Sequence, residues 1–82
     1  MPINERWKRE KASLTTEIEC SSFMEGVDLI KRIAECAESQ NHHPDLFLHD
    51  YKYLQIRLQT HDSGGLTSKD ERLAQSIDEI LG

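Results

Sequence analysis

The side chains in this sequence best suited to moving protons are three histidines and one carboxylate. His42 and His43 are adjacent and run directly into Pro44, and Glu38 precedes them by about one helical turn. His61 stands between Thr60 and Asp62. An imidazole titrates near pH 6.5, so histidines held beside carboxylates supply both an acid and a base close to neutrality. A metal site is the second reading, since imidazoles and Asp62 are competent ligands. Against it, neighbouring side chains on an extended segment point apart, so His42 and His43 would not chelate one ion. Cys20 and Cys36 lie in no CxxC or zinc-like spacing, and with only two cysteines both are expected to be reduced. Nucleophilic catalysis has little support, because neither cysteine falls near the histidines and no serine sits in a nucleophile elbow. Ser63-Gly64-Gly65 lacks the lysine and glycine run of a phosphate loop. His49 is read as a solvated or capping side chain.

The elements that must position these residues follow from periodicity. Leu14 to Cys20 alternates Leu14, Thr16, Ile18 and Cys20 with polar partners, which predicts a half-buried strand. The Arg6–Glu10 segment is expected to pair with it across Lys11-Ala12-Ser13. Ser22 followed by Glu25 is a capping-box pattern opening a helix to about Gln40. Its apolar arc is wide: Phe23, Val27, Ile30, Ala34 and Ala37 form a stripe to cover the sheet, and Leu29, Ile33 and Cys36 form a second. That second stripe needs a neighbouring subunit or the terminal helix as its partner. Asn41 suits a left-handed helix stop, and Pro44 keeps His43 out of the α region. Two strands follow, turning at Asp50-Tyr51-Lys52, the second with Leu54, Ile56 and Leu58 inward. Thr67 caps a last helix with Asp70 and Glu71 in its first turn. The order β-β-α-β-β-α predicts an α+β two-layer sandwich: a four-stranded antiparallel sheet with helices on one face. A hairpin brings its outer ends together, so His61 is expected beside His42 and His43.

Composition restricts the classes further. At 82 residues the chain is expected to be a single domain over 1–82, with a small core for which self-association is the expected support. A net charge of −5 opposes nucleic-acid binding. No apolar segment has the length of a membrane span, and the N-terminus shows no secretory h-region, so a soluble, cytoplasmic protein is expected.

"AESQNHHPD", followed by an aromatic residue, "THDSGGLTSKD" and "LAQSIDEI" together resemble the pterin carbinolamine dehydratases, also known as dimerisation cofactors of a homeodomain transcription factor. The matching pattern is Glu38, His42, His43, Pro44, Tyr51, His61 and Asp70, and the likeness runs from about Trp7 to the end. Two departures stand out. Six residues separate Pro44 from Tyr51 where the family has five, which predicts a bulge or longer turn, and the N-terminal helix of longer members is not expected in this sequence.

The resemblance implies loss of water from 4a-hydroxytetrahydropterin to give quinonoid dihydropterin, in recycling of tetrahydrobiopterin, with no metal or organic cofactor. By resemblance His42 and His61 are the principal acid/base residues, and His43 binds and orients the pterin. Asn41, Gln59, Thr60 and Asp62 line the pocket, Pro44 fixes the backbone, Trp7 walls the ring, and Glu38 holds a histidine tautomer. A homodimer or homotetramer is implied. The competing reading keeps the fold as a non-catalytic binding or assembly module that uses the apolar helix face, in keeping with the transcription-cofactor role.

Overall fold

Alternation along Tyr53–Leu58 decides which way the sheet faces: Leu54, Ile56 and Leu58 are wholly buried, whereas Gln55 and Arg57 are exposed. The computed structural model describes residues 5–10, 12–59 and 66–82. In it β1 (Lys8–Glu10), β2 (Ser13–Glu19), α1 (Phe23–Gln40), β3 (Asp45–His49), β4 (Tyr53–Leu58) and α2 (Ser68–Leu81) follow in the expected order. All pairings are antiparallel and the strands lie in the order β1-β2-β4-β3, so β1 and β3 are the edges. Leu14 lies opposite Leu58, and Ile56 lies between Thr16 and Leu46. The helices meet the inward face of the sheet, giving the α+β two-layer sandwich. Among the described residues no helix is long and apolar enough to cross a membrane.

The core joins Leu14, Leu54, Ile56 and Leu58 of the sheet to Ile33 and Ala37 of α1 and to Leu73, Ala74 and Ile77 of α2. Burying each of the larger side chains is worth about 1.5–3 kcal/mol. The face of α1 that does this differs from the expected stripe. Gly26, Ile33 and Ala37 are buried, with Leu29, Ile30 and Cys36 packed partly against the core. Phe23, Val27 and Ala34, expected to cover the sheet, are exposed. The reason is Gly26, where an added Cβ would stand 2.8 Å from Leu48 Cδ1. The helix approaches β3 through its one residue without a side chain, which rotates Phe23 and Val27 outward. Ile33 is buried with Leu73, Ala74 and Ile77, and Leu29 and Cys36 pack partly against the same core, so the terminal helix is the partner of that stripe within the chain. Gln40 Nε2 donates to Ser76 Oγ at 2.7 Å, tying the helices together further along.

Both helix starts close as their sequences indicate. Glu25 N–H donates to Ser22 Oγ, but the Glu25 carboxylate reaches past Ser22 to the N–H and hydroxyl of Ser21, both at 2.8 Å. At α2 the box is complete: Thr67 N–H donates to Asp70 Oδ2 at 3.0 Å. β3 and β4 pair without a bulge from Asp45 opposite Arg57 to His49 opposite Tyr53, joined by the three residues Asp50, Tyr51 and Lys52. Asp50 and Tyr51 both take left-handed backbone, with φ of 48° and 56°. Tyr51 therefore sits at the exposed hairpin tip, at the opposite end of β3 from His43.

Candidate functional site

A helix end, a proline and a strand start build this site. Asn41 adopts φ 51°, ψ 41°, its N–H donates to Glu38 O, and the His42 N–H donates to Ala37 O, both at 3.2 Å. This pair of bonds is a Schellman closure, and it pins the His42 backbone to the last turn of α1. Pro44 then directs the chain into β3, so His42 and His43 occupy a short extended bridge whose side chains diverge.

His42 turns inward and His43 outward. The His42 side chain is only 12% exposed, and its Nε2 lies 2.7 Å from Oδ1 of Asp70, whose carboxylate is completely buried. His43 Nε2 pairs with the carboxylate of Glu38, and both of these side chains are well exposed. The tautomer-holding carboxylate expected at Glu38 thus serves His43. His42 is held by Asp70, which the sequence pattern contained but to which it gave no role at the site. A signal was present: Asp70 is the N3 residue of the α2 cap, and a cap uses only one of its two oxygens. A buried carboxylate at the end of a helix beside a histidine-bearing bridge needs a second partner.

Gln59 is half-buried and directly follows β4. The β3–β4 pairing ends with Asp45 opposite Arg57, so His43 and Gln59 both lie just beyond that end of the hairpin. Thr60, His61 and Asp62 lie outside the described residues, as does the Ser63-Gly64-Gly65 break. Trp7 is not on this corner. Its indole is 7% exposed within the core and its Nε1–H donates to Asp78 Oδ1 at 2.8 Å. Asp78 lies two turns along α2 from Asp70, roughly 12 Å, so the expected wall is instead a core residue joining the N-terminal segment to α2. Among the described residues no group of three or more His, Cys, Asp or Glu side chains is arranged to hold a metal ion.

A buried imidazole–carboxylate pair beside an exposed one can store, orient and exchange protons at a single corner. On the outer sheet face His49 is engaged differently: Nε2 with Glu17 at 2.8 Å and Nδ1 with Asp50 at 3.2 Å, its ring stacked on Phe47. It belongs to the hairpin tip and not to the site.

The family model for pterin 4 alpha carbinolamine dehydratase matches residues 2–80. A relative from Mycolicibacterium vanbaalenii, provisionally named a pterin-4-alpha-carbinolamine dehydratase, is 38% identical over the whole of this chain and 87% of its own length. One of the same name from Mycobacteroides abscessus is 42% identical over 93% of this chain and 80% of its own. Among solved structures, a transcriptional coactivator/pterin dehydratase from Brucella melitensis superposes with a TM-score of 0.87 at 25% identity, covering 95% of this chain and 84% of that one. A pterin dehydratase-like RuBisCO assembly factor of the alpha-carboxysome shares the fold, with a TM-score of 0.73 at 17% identity, over 94% and 88% of the two chains.

Proposed function

Starting from the fact that the chain belongs to the pterin 4 alpha carbinolamine dehydratase family, we propose that it removes water from 4a-hydroxytetrahydropterin by histidine acid/base catalysis. The observation that carries this reading is the His42–Asp70 pair, a nearly buried imidazole held by a fully buried carboxylate beside the exposed His43. Hydroxide is a poor leaving group, so the step needs a proton given to the 4a oxygen and another withdrawn from a ring nitrogen. Positioned side chains contribute about 10²–10⁴-fold to such transfers. His42 and His61 are the acid/base residues in this reading, and His43 binds and orients the substrate. Asn41, Pro44, Gln59, Thr60 and Asp62 line its pocket, a reading supported by Gln59 following β4 at the end of the hairpin where β3 begins. The product is quinonoid dihydropterin, and the setting is recycling of a tetrahydropterin cofactor in the cytoplasm. The test is the ultraviolet decay of 4a-hydroxytetrahydropterin generated in situ: the protein should accelerate it well above buffer, and decay at the buffer rate would remove the enzymatic reading.

A specific observation favours a second role for the same fold. Phe23 and Met24 on α1 are 52% and 64% exposed, Val27 is exposed beside them, and Phe47 is exposed on the edge strand β3. Exposed apolar side chains adjacent on one helix mark an interaction surface, and Phe47 adds a separate one on the outer face beside the unpaired edge. In this account it is covered by further copies of the chain in a homodimer or homotetramer. The alternative is a non-catalytic binding module using the same helix face, and the coactivator and assembly-factor relatives lend it support.

A further inference from the structure

We infer that Asp70 is the positioning residue of the site, fixing His42 as the tautomer protonated on Nε2 so that Nδ1 is the nitrogen that exchanges a proton with the substrate. This rests on the dehydratase reading for its catalytic half, and on geometry alone for its structural half.

The geometry is one carboxylate with two committed oxygens. Asp70 Oδ2 accepts the Thr67 N–H at 3.0 Å, and Oδ1 faces His42 Nε2 at 2.7 Å. The first bond belongs to the α2 cap and sets the plane of the carboxylate; the second uses the remaining oxygen. An ionised carboxylate only accepts, so the nitrogen facing it carries the hydrogen. With Nε2–H spent on Asp70, the neutral ring has its lone pair on Nδ1, for which the described residues supply no partner. In the base step one proton passes from a substrate nitrogen to Nδ1 and no bond to Asp70 breaks; the imidazolium so formed is balanced by the carboxylate already against Nε2. His43 lacks this arrangement, because its acidic partner Glu38 is exposed and anchored to nothing else that is described.

One carboxylate thus joins the start of α2 to the bridge after α1.

The test is Asp70→Asn, which keeps an amide oxygen for the Thr67 N–H and offers an NH₂ group to Nε2. That group requires the ring to accept at Nε2 and to carry its hydrogen on Nδ1. Imidazole ¹⁵N correlation spectra of the neutral ring should show His42 protonated at Nε2 in the native protein and at Nδ1 in the variant. The variant should lose about 10³–10⁴-fold in kcat, the scale known when an orienting carboxylate is neutralised, with KM changed less than threefold. A native His42 protonated at Nδ1 would overturn the inference even if the variant failed to fold. So would an Asp70→Asn protein with native kcat. If the native protein has no dehydratase activity the reaction assignment fails, and the tautomer spectrum alone decides the role of Asp70.

Discussion

Gly26 of α1 rests directly on Leu48 of β3, with room for no side chain between them: a Cβ at position 26 would lie 2.8 Å from Leu48 Cδ1 and 3.1 Å from Cδ2. This contact sets the rotation of α1, and through it the position of the bridge that carries His42. Gly26→Ala should therefore destabilise the protein by about 1 kcal/mol, the overpacking outweighing the gain in helix propensity. With Leu48→Ala already in place the same change should be neutral or stabilising by up to about 1 kcal/mol. Denaturant unfolding of the four proteins of this cycle measures the coupling, and additive effects would mean that the close approach is not what positions α1.

Tyr51 takes left-handed backbone at φ 56° with its ring exposed at the hairpin tip. A non-glycine residue there costs about 1 kcal/mol or more, and glycine returns part of it as flexibility of the unfolded chain. Tyr51→Gly should raise stability by about 0.5–1 kcal/mol and leave the site, at the other end of the hairpin, unaltered. A lower thermal midpoint would show that the Tyr51 ring and its contact with Lys52 hold the turn.

Two surface groups give stability opposite slopes with pH. The hydrogen bond to Glu17, helped by Asp50 and opposed by desolvation, raises the pKa of His49 above the ordinary 6.5. Its contribution is complete below pH 6.5 and is lost as pH rises through the folded-state value. Glu25 is lowered from the ordinary 4.5 by the backbone and then the side chain of Ser21. Its contribution is present above pH 4.5 and is lost as pH falls through the lowered value. Unfolding midpoints across pH should therefore show His49→Gln converging on the native protein at alkaline pH, and Glu25→Gln converging on it at acid pH. Convergence at the opposite ends would contradict both assignments.

Phe23 and Val27, expected to cover the sheet, project from α1 beside the exposed Met24. If further copies of the chain cover them, the native protein should sediment as more than one copy and Met24→Glu should shift it toward the monomer. A native monomer at high concentration would leave the exposed residues to a different partner.

Much of this was legible before any coordinates. Strict alternation in β2 and β4 and capping residues at 22 and 67 placed the strands and helices, because each is a local preference. The rotation of α1 was not legible, since an apolar-stripe count gives Gly26 no weight and only its contact with Leu48 reveals its purpose. Asp70 was hidden by its place in the first turn of α2, where a carboxylate is accounted for by the helix dipole alone. Trp7 was carried to the pocket by resemblance, and its bond to Asp78 shows a requirement of the core instead. Glu38 was correctly placed near the histidines, but which ring it meets depends on how the bridge at 42–44 splays them.

The most direct test of the account is the rate of 4a-hydroxytetrahydropterin dehydration by the native protein, His42→Ala, His61→Ala and the double variant. Groups that share one proton-transfer site act as a unit. Each single change should cost about 10²–10⁴-fold, and the double change little more than the worse single one. Losses that multiply, or single variants as fast as the native protein, would mean that these two histidines do not work on the same substrate at one site.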